Sequence, residues 1–110
     1  MRLLVVEDEK RIADFLQRGL ESAGYAVDAV HDAKSALDQV HAVEQDLIIL
    51  DPGLPDMDGL EVVRSLRSTE VGSTMYILLL TGNQSEDLLV KAFDAGVDDF
   101  DTTLDLGDHA

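Results

Sequence analysis

A chain of 110 residues is long enough for one domain with a hydrophobic core and too short for two. Its formal net charge of −15, with 8 basic residues and none of them beyond Lys91, leaves no basic stripe for a nucleic-acid backbone, so direct nucleic-acid binding is not expected. The lack of cysteine excludes disulfides and thiol catalysis, and the apolar runs are too short for a signal peptide or a membrane span of ~20 residues, which predicts a cytoplasmic protein without membrane contact.

Short apolar runs alternate with segments of helical period along the chain, a pattern typical of a parallel sheet covered by helices. Residues 3–6 predict the first strand. Apolar side chains on one face then predict an amphipathic helix from Glu9 to Ala23, with Gly24 at its C-terminal end. Residues 25–30 predict the second strand, and Asp32 is the expected N-cap of the second helix.

The second half of the chain continues the same alternation. Residues 46–50 and 75–80 are continuous apolar runs, which favour strands buried on both faces. Gly59 opens a short helix between these strands, another helix ends at Gly96, and residues 97–104 predict a weaker fifth strand. We therefore expect a single α/β domain with a flavodoxin-like, doubly wound parallel sheet in the strand order 2-1-3-4-5.

Polar residues follow the apolar runs at the carboxyl ends of three predicted strands, where doubly wound sheets bind ligands. Glu7 and Asp8 follow the first strand, Asp51 the third and Thr81 the fourth. In the expected strand order the first and third strands are neighbours, so the three carboxylates converge on one crevice. Carboxylates that lie close together raise one another's pKa or bind a cation, and a hard ion such as Mg²⁺ prefers oxygen ligands. The sequence therefore predicts a magnesium site.

Each of these residues also has a simpler explanation. Taken alone, Asp51 is a residue that opens a loop, and Glu7 and Asp8 are acids in the first turn of a helix, where the helix dipole favours them. Thr81 is by itself a β-branched strand residue. Phe100, in the predicted fifth strand, is likewise more often a core aromatic than a functional residue. The ordered set of motifs, rather than any single residue, favours a functional site.

The segment PGLPDMDG after the third strand contains two further acids. Asp56 and Asp58 are predicted to be turn and N-cap residues around Gly59. The string DMDG does not fit a calcium-binding EF-hand loop, because Leu54 and Ser65 stand where that loop requires oxygen ligands. A calcium loop of this type is therefore excluded.

Four stretches of the chain resemble the receiver domain of bacterial two-component response regulators: LLVVEDE, LIILDPGLPDMDG, ILLLTG and AFDAGVDDF. The resemblance covers roughly residues 2–101 and is strongest to the branch that often carries winged-helix DNA-binding partners. Its specificity lies in the order of these motifs at the strand ends. It implies a phosphoprotein that receives its phosphoryl group from a sensor histidine kinase and is not itself an enzyme.

The resemblance assigns a role to each matching residue. Asp51 matches the phosphoacceptor, and Glu7 and Asp8 match the acidic pair that helps to hold Mg²⁺. Gly53 matches the residue whose backbone carbonyl completes the protein's share of the coordination. The chemistry of these residues fits the roles, because a carboxylate can attack phosphorus in line when a metal ion offsets the repulsion between two anions.

Two residues further along the chain match the family's sensing positions. Thr81 matches the hydroxyl residue that hydrogen-bonds the phosphoryl group, and Phe100 matches the aromatic whose rotamer follows it. In this interpretation the phosphoryl group draws Thr81 inward, and Phe100 responds to that movement.

The C-terminal region departs from the family pattern. Ungapped comparison puts Thr103 at the position of a lysine whose ammonium group meets the phosphoryl group, and Leu104 at the proline that follows. That contact is worth about 1.5–3 kcal/mol when buried, and Lys10 is the nearest substitute, on the other side of the site. Too few residues follow for an ordinary helix, so we expect a truncated or divergent C-terminus whose final helix is missing or very short. A homodimer or a strand-exchanged dimer would cover the apolar flank.

Two functions remain open on this basis. The first is a Mg²⁺-dependent phosphoacceptor in two-component signalling, and the alternative is a non-switching interaction or dimerisation module that keeps the acidic site. A flavin or dinucleotide site is excluded, because acids replace the Gly- or Ser/Thr-rich loop expected after the first strand. His31, His41 and His109 lack zinc spacing and are given no role.

Overall fold

Strands and helices alternate along the chain in the computed structural model, which describes residues 1–82 and 85–101. The strands in the described part are β1 (Arg2–Val6), β2 (Ala26–Val30), β3 (Leu47–Leu50), β4 (Tyr76–Leu80) and β5 (Asp99–Asp101). The helices there are α1 (Lys10–Ser22), α2 (Ala33–Ala42), α3 (Gly59–Arg67) and α4 (Glu86–Ala95). The predicted elements are therefore present, and where both ends are described they differ from the predictions by one or two residues.

All strand pairs in the sheet are parallel, and the strand order is β2-β1-β3-β4-β5. The predicted flavodoxin-like order is confirmed. In the register of the two central strands, Val6 of β1 lies opposite Leu50 of β3. The residues that follow this pair, Glu7 and Asp51, consequently leave the sheet side by side.

Helices pack against both faces of the sheet, which explains why the central strands β1, β3 and β4 are mostly apolar runs. Alternate side chains of a strand point to opposite faces. Leu4 and Val6 pack into the core beneath α2, α3 and α4, whereas Leu3 and Val5 pack into a second core that includes Ala13 of α1. The larger core also contains Ile48 and Leu50 of β3, Ile77 and Leu79 of β4, and buried residues of all three helices.

Local capping interactions fix where the helices begin and end. The Asp32 carboxylate accepts a 2.7 Å hydrogen bond from Ser35 N at the start of α2, and Asp58 accepts a 2.8 Å bond from Leu60 N at the start of α3. Gly96 ends α4 in the left-handed region, with φ of +117°, which a glycine adopts without strain. The predictions for Asp32, Asp58 and Gly96 are confirmed.

Some predictions concern residues outside the described part of the chain. The fifth strand was expected over residues 97–104 and begins at Asp99, but residues 102–110 are not described. The expectations for Thr103, Leu104, His109 and the final helix lie there. Within the ranges that are described, no helix is long and apolar enough to cross a membrane.

Candidate functional site

Three carboxylates meet at the carboxyl end of the sheet. Glu7, Asp8 and Asp51 each offer an oxygen atom, and these atoms all lie within 4.8 Å of one another. Glu7 is buried, Asp51 is half-buried and Asp8 is exposed. In residues 1–82 and 85–101, this is the one group of three acidic or histidine side chains placed closely enough to hold a metal ion. The predicted convergence is confirmed.

The sheet itself fixes the backbone of this acidic cluster (Glu7, Asp8 and Asp51). Asp51 N donates a 3.0 Å hydrogen bond to the carbonyl oxygen of Val6, and Glu7 N donates a 3.1 Å bond to the carbonyl oxygen of Val30. The ladder therefore continues one residue beyond β1 and β3. Because these backbone positions belong to the sheet, the two carboxylates start from a rigid base.

The environment of Glu7 disfavours its ionised form. Glu7 is only 6% exposed, and burial is the largest of the effects that raise its pKa from 4.5 to about 8. A 3.0 Å hydrogen bond from Glu9 N opposes that rise, whereas contacts with Asp8 and Asp51 raise the pKa further. A divalent cation in the cluster would reverse the balance, because it favours the charged carboxylate.

The donor set fits a hard divalent cation. Carboxylate oxygens are the ligands that Mg²⁺ prefers in proteins, usually with several water molecules completing the octahedron. The acidic cluster supplies such oxygens from one buried and two more accessible side chains. Exposure on one side leaves room for water or for a phosphoryl oxygen. The arrangement can therefore hold Mg²⁺ beside an accessible nucleophile.

The loop between β3 and α3, called here the acceptor loop (residues 51–58), forms one side of the crevice. Gly53 N donates a 2.9 Å hydrogen bond to Asp51 Oδ1 and so orients the carboxylate. A Cβ atom at Gly53 would lie 3.6 Å from that oxygen, which is an ordinary contact, so steric exclusion by Asp51 does not explain the glycine. The assignment of the Gly53 carbonyl as a ligand stays a prediction.

The ends of the acceptor loop are tied together. Gly59 N donates a 3.0 Å bond to the carbonyl oxygen of Pro52, and a Cβ atom at Gly59 would lie 2.4 Å from Pro52 Cα. Only glycine permits that approach. Leu54 anchors the middle of the loop in the larger core.

Thr81 follows β4, the strand beside β3, and Phe100 lies on β5, the next strand of the sheet. Thr81 is 6% exposed, and its backbone N–H donates a 2.9 Å bond to Asp101 O. Phe100 of β5 packs against the larger core and meets Phe93 of α4 edge to face, with ring centroids 6.0 Å apart and planes at 72°. Thr81 therefore lies at the strand end next to that of Asp51. The sensing roles of both residues stay predictions.

Two cross-element contacts near the site carry no local sequence signal. His31 Nδ1 lies 3.0 Å from the carbonyl oxygen of Glu7, to which it can only donate. Asp56 accepts hydrogen bonds from Ala33 N at 2.8 Å and from Lys34 N at 3.1 Å, both in the first turn of α2. His31 was given no role, and Asp56 was predicted only as a turn or cap residue beside its own helix.

Comparison with known proteins gives the same class of protein as the fold and the acidic cluster. Residues 3–101 match the model of the response regulator receiver domain. The response regulator MprA of Mycobacterium avium is 43% identical over 100 residues, which cover 91% of this chain and 43% of that protein. MprA of Mycobacterium tuberculosis strain H37Rv is 41% identical over 100 residues, which cover 91% of this chain and 43% of that protein. The chain therefore spans less than half the length of these curated relatives.

Solved structures agree with this assignment. The chemotaxis response regulator CheY4 of Vibrio cholerae has a TM-score of 0.89 at 27% identity, covering 93% of this chain and 85% of that one. A response regulator from Burkholderia pseudomallei, whose structure contains a phosphorylated aspartic acid and a calcium ion, has a TM-score of 0.85 at 32% identity, covering 93% and 59%.

The chain belongs to the response regulator receiver domain family. It is a receiver domain of two-component signal transduction, as the ordered motifs predicted. The alternative of a non-switching interaction module has no support in these matches.

Proposed function

We propose that this receiver domain accepts a phosphoryl group on Asp51 and that Glu7, Asp8 and Asp51 hold the Mg²⁺ ion which the reaction needs. The observation that carries the proposal is the meeting of the three carboxylates within 4.8 Å at adjacent strand ends. The Burkholderia pseudomallei regulator, with its phosphorylated aspartic acid and calcium ion, supports the same chemistry in a structural relative. We further propose that the Gly53 carbonyl completes the protein ligands.

The proposed reaction is an in-line displacement at phosphorus. An Asp51 carboxylate oxygen forms a bond to phosphorus, the bond from phosphorus to the donor breaks, and its electron pair leaves with the donor. Gly53 N holds Asp51 Oδ1, which keeps the carboxylate in one orientation for attack. When bound, Mg²⁺ neutralises negative charge on the transferred group. The domain acts as a stoichiometric acceptor and is not an enzyme.

Thr81 is the proposed contact to the phosphoryl group. Its place directly after β4 lies beside Asp51, because β3 and β4 pair up to Leu50 and Leu79. The hydroxyl would donate to a phosphoryl oxygen, and Phe100 would follow the shift of Thr81 through the end of β5, where Thr81 N already bonds Asp101 O. By ungapped comparison the chain has Thr103 at the position that the resemblance gives to a lysine.

Receiver domains interact with histidine kinases in two-component systems. We propose that a sensor histidine kinase donates the phosphoryl group here, that the protein is cytoplasmic, and that it belongs to the branch often joined to winged-helix partners. We also propose that two copies of the chain associate, as a homodimer or a strand-exchanged dimer. The net charge of −15 supports the absence of direct nucleic-acid binding by this chain.

The test is phosphorylation by acetyl phosphate with and without Mg²⁺, followed by intact-protein mass spectrometry. One hydroxylamine-labile phosphoryl group is expected on the wild-type protein in Mg²⁺ and none on Asp51→Asn. Asp58→Asn is the matched control, because asparagine also caps a helix and the acceptor loop keeps its length and caps. Labelling that survives Asp51→Asn would contradict the assignment.

A further inference from the structure

We propose that Asp56 is a positioning residue for the metal site, whose carboxylate ties the acceptor loop to the first turn of α2 and so fixes the side of the crevice that carries Asp51 and Gly53. This inference rests on the proposed function, because it concerns the Mg²⁺ ion that the acidic cluster would hold. It assigns to Asp56 an effect on cation affinity that a turn residue does not have.

The contact joins elements that are far apart in the sequence. Asp56 Oδ1 accepts from Ala33 N at 2.8 Å and Oδ2 accepts from Lys34 N at 3.1 Å, across 23 and 22 residues. The first N–H groups of a helix have no partner within the helix and carry partial positive charge. Both bonds hold the pKa of Asp56 below its usual 3.8, so the carboxylate stays ionised at neutral pH.

The segment that joins β2 to α2 also contacts Glu7, on the opposite side of the crevice. The carbonyl oxygen of Val30, at the end of β2, accepts a 3.1 Å bond from Glu7 N, and His31 Nδ1 donates to the Glu7 carbonyl oxygen at 3.0 Å. Residues 30–34 therefore contact Glu7 on one side and Asp56 on the other. Asp56 completes a bridge that sets how far the acceptor loop lies from Glu7.

The other contacts that hold the acceptor loop do not connect it to the N-terminus of α2. The bond from Gly59 N to Pro52 O closes the loop on itself, and Asp58 caps its own helix, α3. Leu54 fixes the loop to the core. The Asp56 carboxylate instead connects the loop to a separate helix. It therefore resists a movement of the whole loop away from Glu7.

That resistance matters because the acidic cluster repels itself without a cation. If the tie to α2 is lost, repulsion between the charged Asp51 and Asp8 carboxylates drives the loop outward, and Glu7 adds to that repulsion wherever it is ionised. Binding of Mg²⁺ must then restore the separation of the ligands, and part of the binding free energy is lost. Residues that orient metal ligands without touching the metal commonly have effects of this kind.

The experiment is a titration with Mg²⁺ of the wild type, Asp56→Ala and Asp56→Asn, followed by the NMR shift of the Gly53 amide. We expect the dissociation constant to rise about tenfold in Asp56→Ala. Asp56→Asn should show a smaller rise, because its amide oxygen retains one acceptor for the helix N–H groups. The amide signals of Ala33 and Lys34 should move in both variants before Mg²⁺ is added.

Asp32→Ala is the matched control. It removes the other carboxylate at the N-terminus of α2, which accepts from Ser35 N, and leaves the acceptor loop untouched. It should lower the melting temperature but keep the dissociation constant for Mg²⁺ near that of the wild type. Equal affinity in Asp56→Ala and wild type, or equal weakening in Asp32→Ala and Asp56→Ala, would overturn the inference.

The outcome separates this inference from the proposed function. If Asp56→Ala does not fold, Asp56→Asn decides the question by the same titration. Wild-type protein that binds Mg²⁺ but is not labelled by acetyl phosphate would contradict the role of Asp51 and leave the role of Asp56 to the titration. If the NMR signal of the Gly53 amide in the wild-type protein does not shift with Mg²⁺, both the proposed metal site and the role of Asp56 are contradicted.

Discussion

Asp51 N donates its hydrogen bond to the carbonyl oxygen of Val6, the residue directly before Glu7. Through this 3.0 Å bond the side chain of Asp51 and the buried carboxylate of Glu7 leave the sheet from adjacent, fixed positions. The carboxyl end of the sheet thereby holds acidic groups close together, which is unfavourable when they are charged. The charges of the acidic cluster and the contacts that restrain it determine how the stability of the domain depends on pH and on Mg²⁺.

Stability without Mg²⁺ should depend on the protonation of Glu7. The folded protein holds a proton on Glu7 up to about pH 8, whereas the unfolded chain releases it near 4.5. The free energy of unfolding should therefore fall as pH rises from 4.5 to 8, by a few kcal/mol at about 1.4 kcal/mol per pKa unit, and level off above that range. Urea denaturation across this range measures it.

Glu7→Gln provides the control for this pH dependence. Glutamine keeps the size of the side chain and stays neutral, so most of the fall between pH 4.5 and 8 should disappear. A pH profile that is the same in Glu7→Gln and wild type would show that Glu7 ionises freely in the folded state.

Mg²⁺ should raise the melting temperature by relieving the repulsion in the acidic cluster. At a concentration tenfold above its dissociation constant, the ion adds about 1.4 kcal/mol to the free energy of unfolding. The increase should be larger at low salt, because salt screens the carboxylates. Calorimetry with NaCl of matched ionic strength isolates the specific effect.

Asp8→Asn should reduce that increase, since it removes one charge from the acidic cluster. Asp38, which pairs with Lys34 on the exposed side of α2, offers a control substitution, Asp38→Asn, that should leave the increase unchanged. Identical melting curves with and without millimolar Mg²⁺ in the wild type would argue against a cation site.

Gly59→Ala should be destabilising because its Cβ atom would meet the backbone of Pro52 at 2.4 Å. Overpacking of this kind costs about 1–3 kcal/mol. Gly19→Ala, in an exposed turn of α1 with no atom within 4 Å, should instead stabilise by about 0.5–1 kcal/mol. Denaturation midpoints of the two variants should therefore move in opposite directions, and a stable Gly59→Ala would mean that the acceptor loop can open at no cost.

Phosphorylation should change the surroundings of Thr81 and Phe100. NMR signals of the Thr81 methyl group and the Phe100 ring are expected to shift on treatment with acetyl phosphate and Mg²⁺. Tyr76, at the opposite end of β4, is an internal control and should not shift. Labelled protein with unchanged Thr81 and Phe100 signals would contradict the sensing roles proposed for these two residues.

Local signals were sufficient for much of the fold. Asp32 and Gly96 each cap a helix that begins or ends next to them in the sequence, so their roles could be predicted from local sequence alone. The acidic cluster was predictable because strand order alone brings Glu7 and Asp51 together. The predicted strand order depends on general rules of parallel sheets rather than on particular contacts.

Tertiary contacts were not predictable in the same way. The bond from Ala33 N to Asp56 and the contact between His31 and Glu7 span 23 and 24 residues, and each depends on how α2 settles against the acceptor loop and β1. Burial of Glu7, the main reason for its raised pKa, was equally hidden, because an acid before Lys10 and Arg11 resembles the exposed start of a helix.

Asp51 is the proposed phosphoacceptor, and locating the acyl phosphate within the chain tests that assignment. Borohydride reduces an aspartyl phosphate to homoserine, which peptide mass spectrometry assigns to one position. After treatment with acetyl phosphate and Mg²⁺, we expect homoserine at position 51 and none in samples without Mg²⁺. Homoserine at Asp8 or Asp56 instead, or no conversion in fully folded protein, would contradict it.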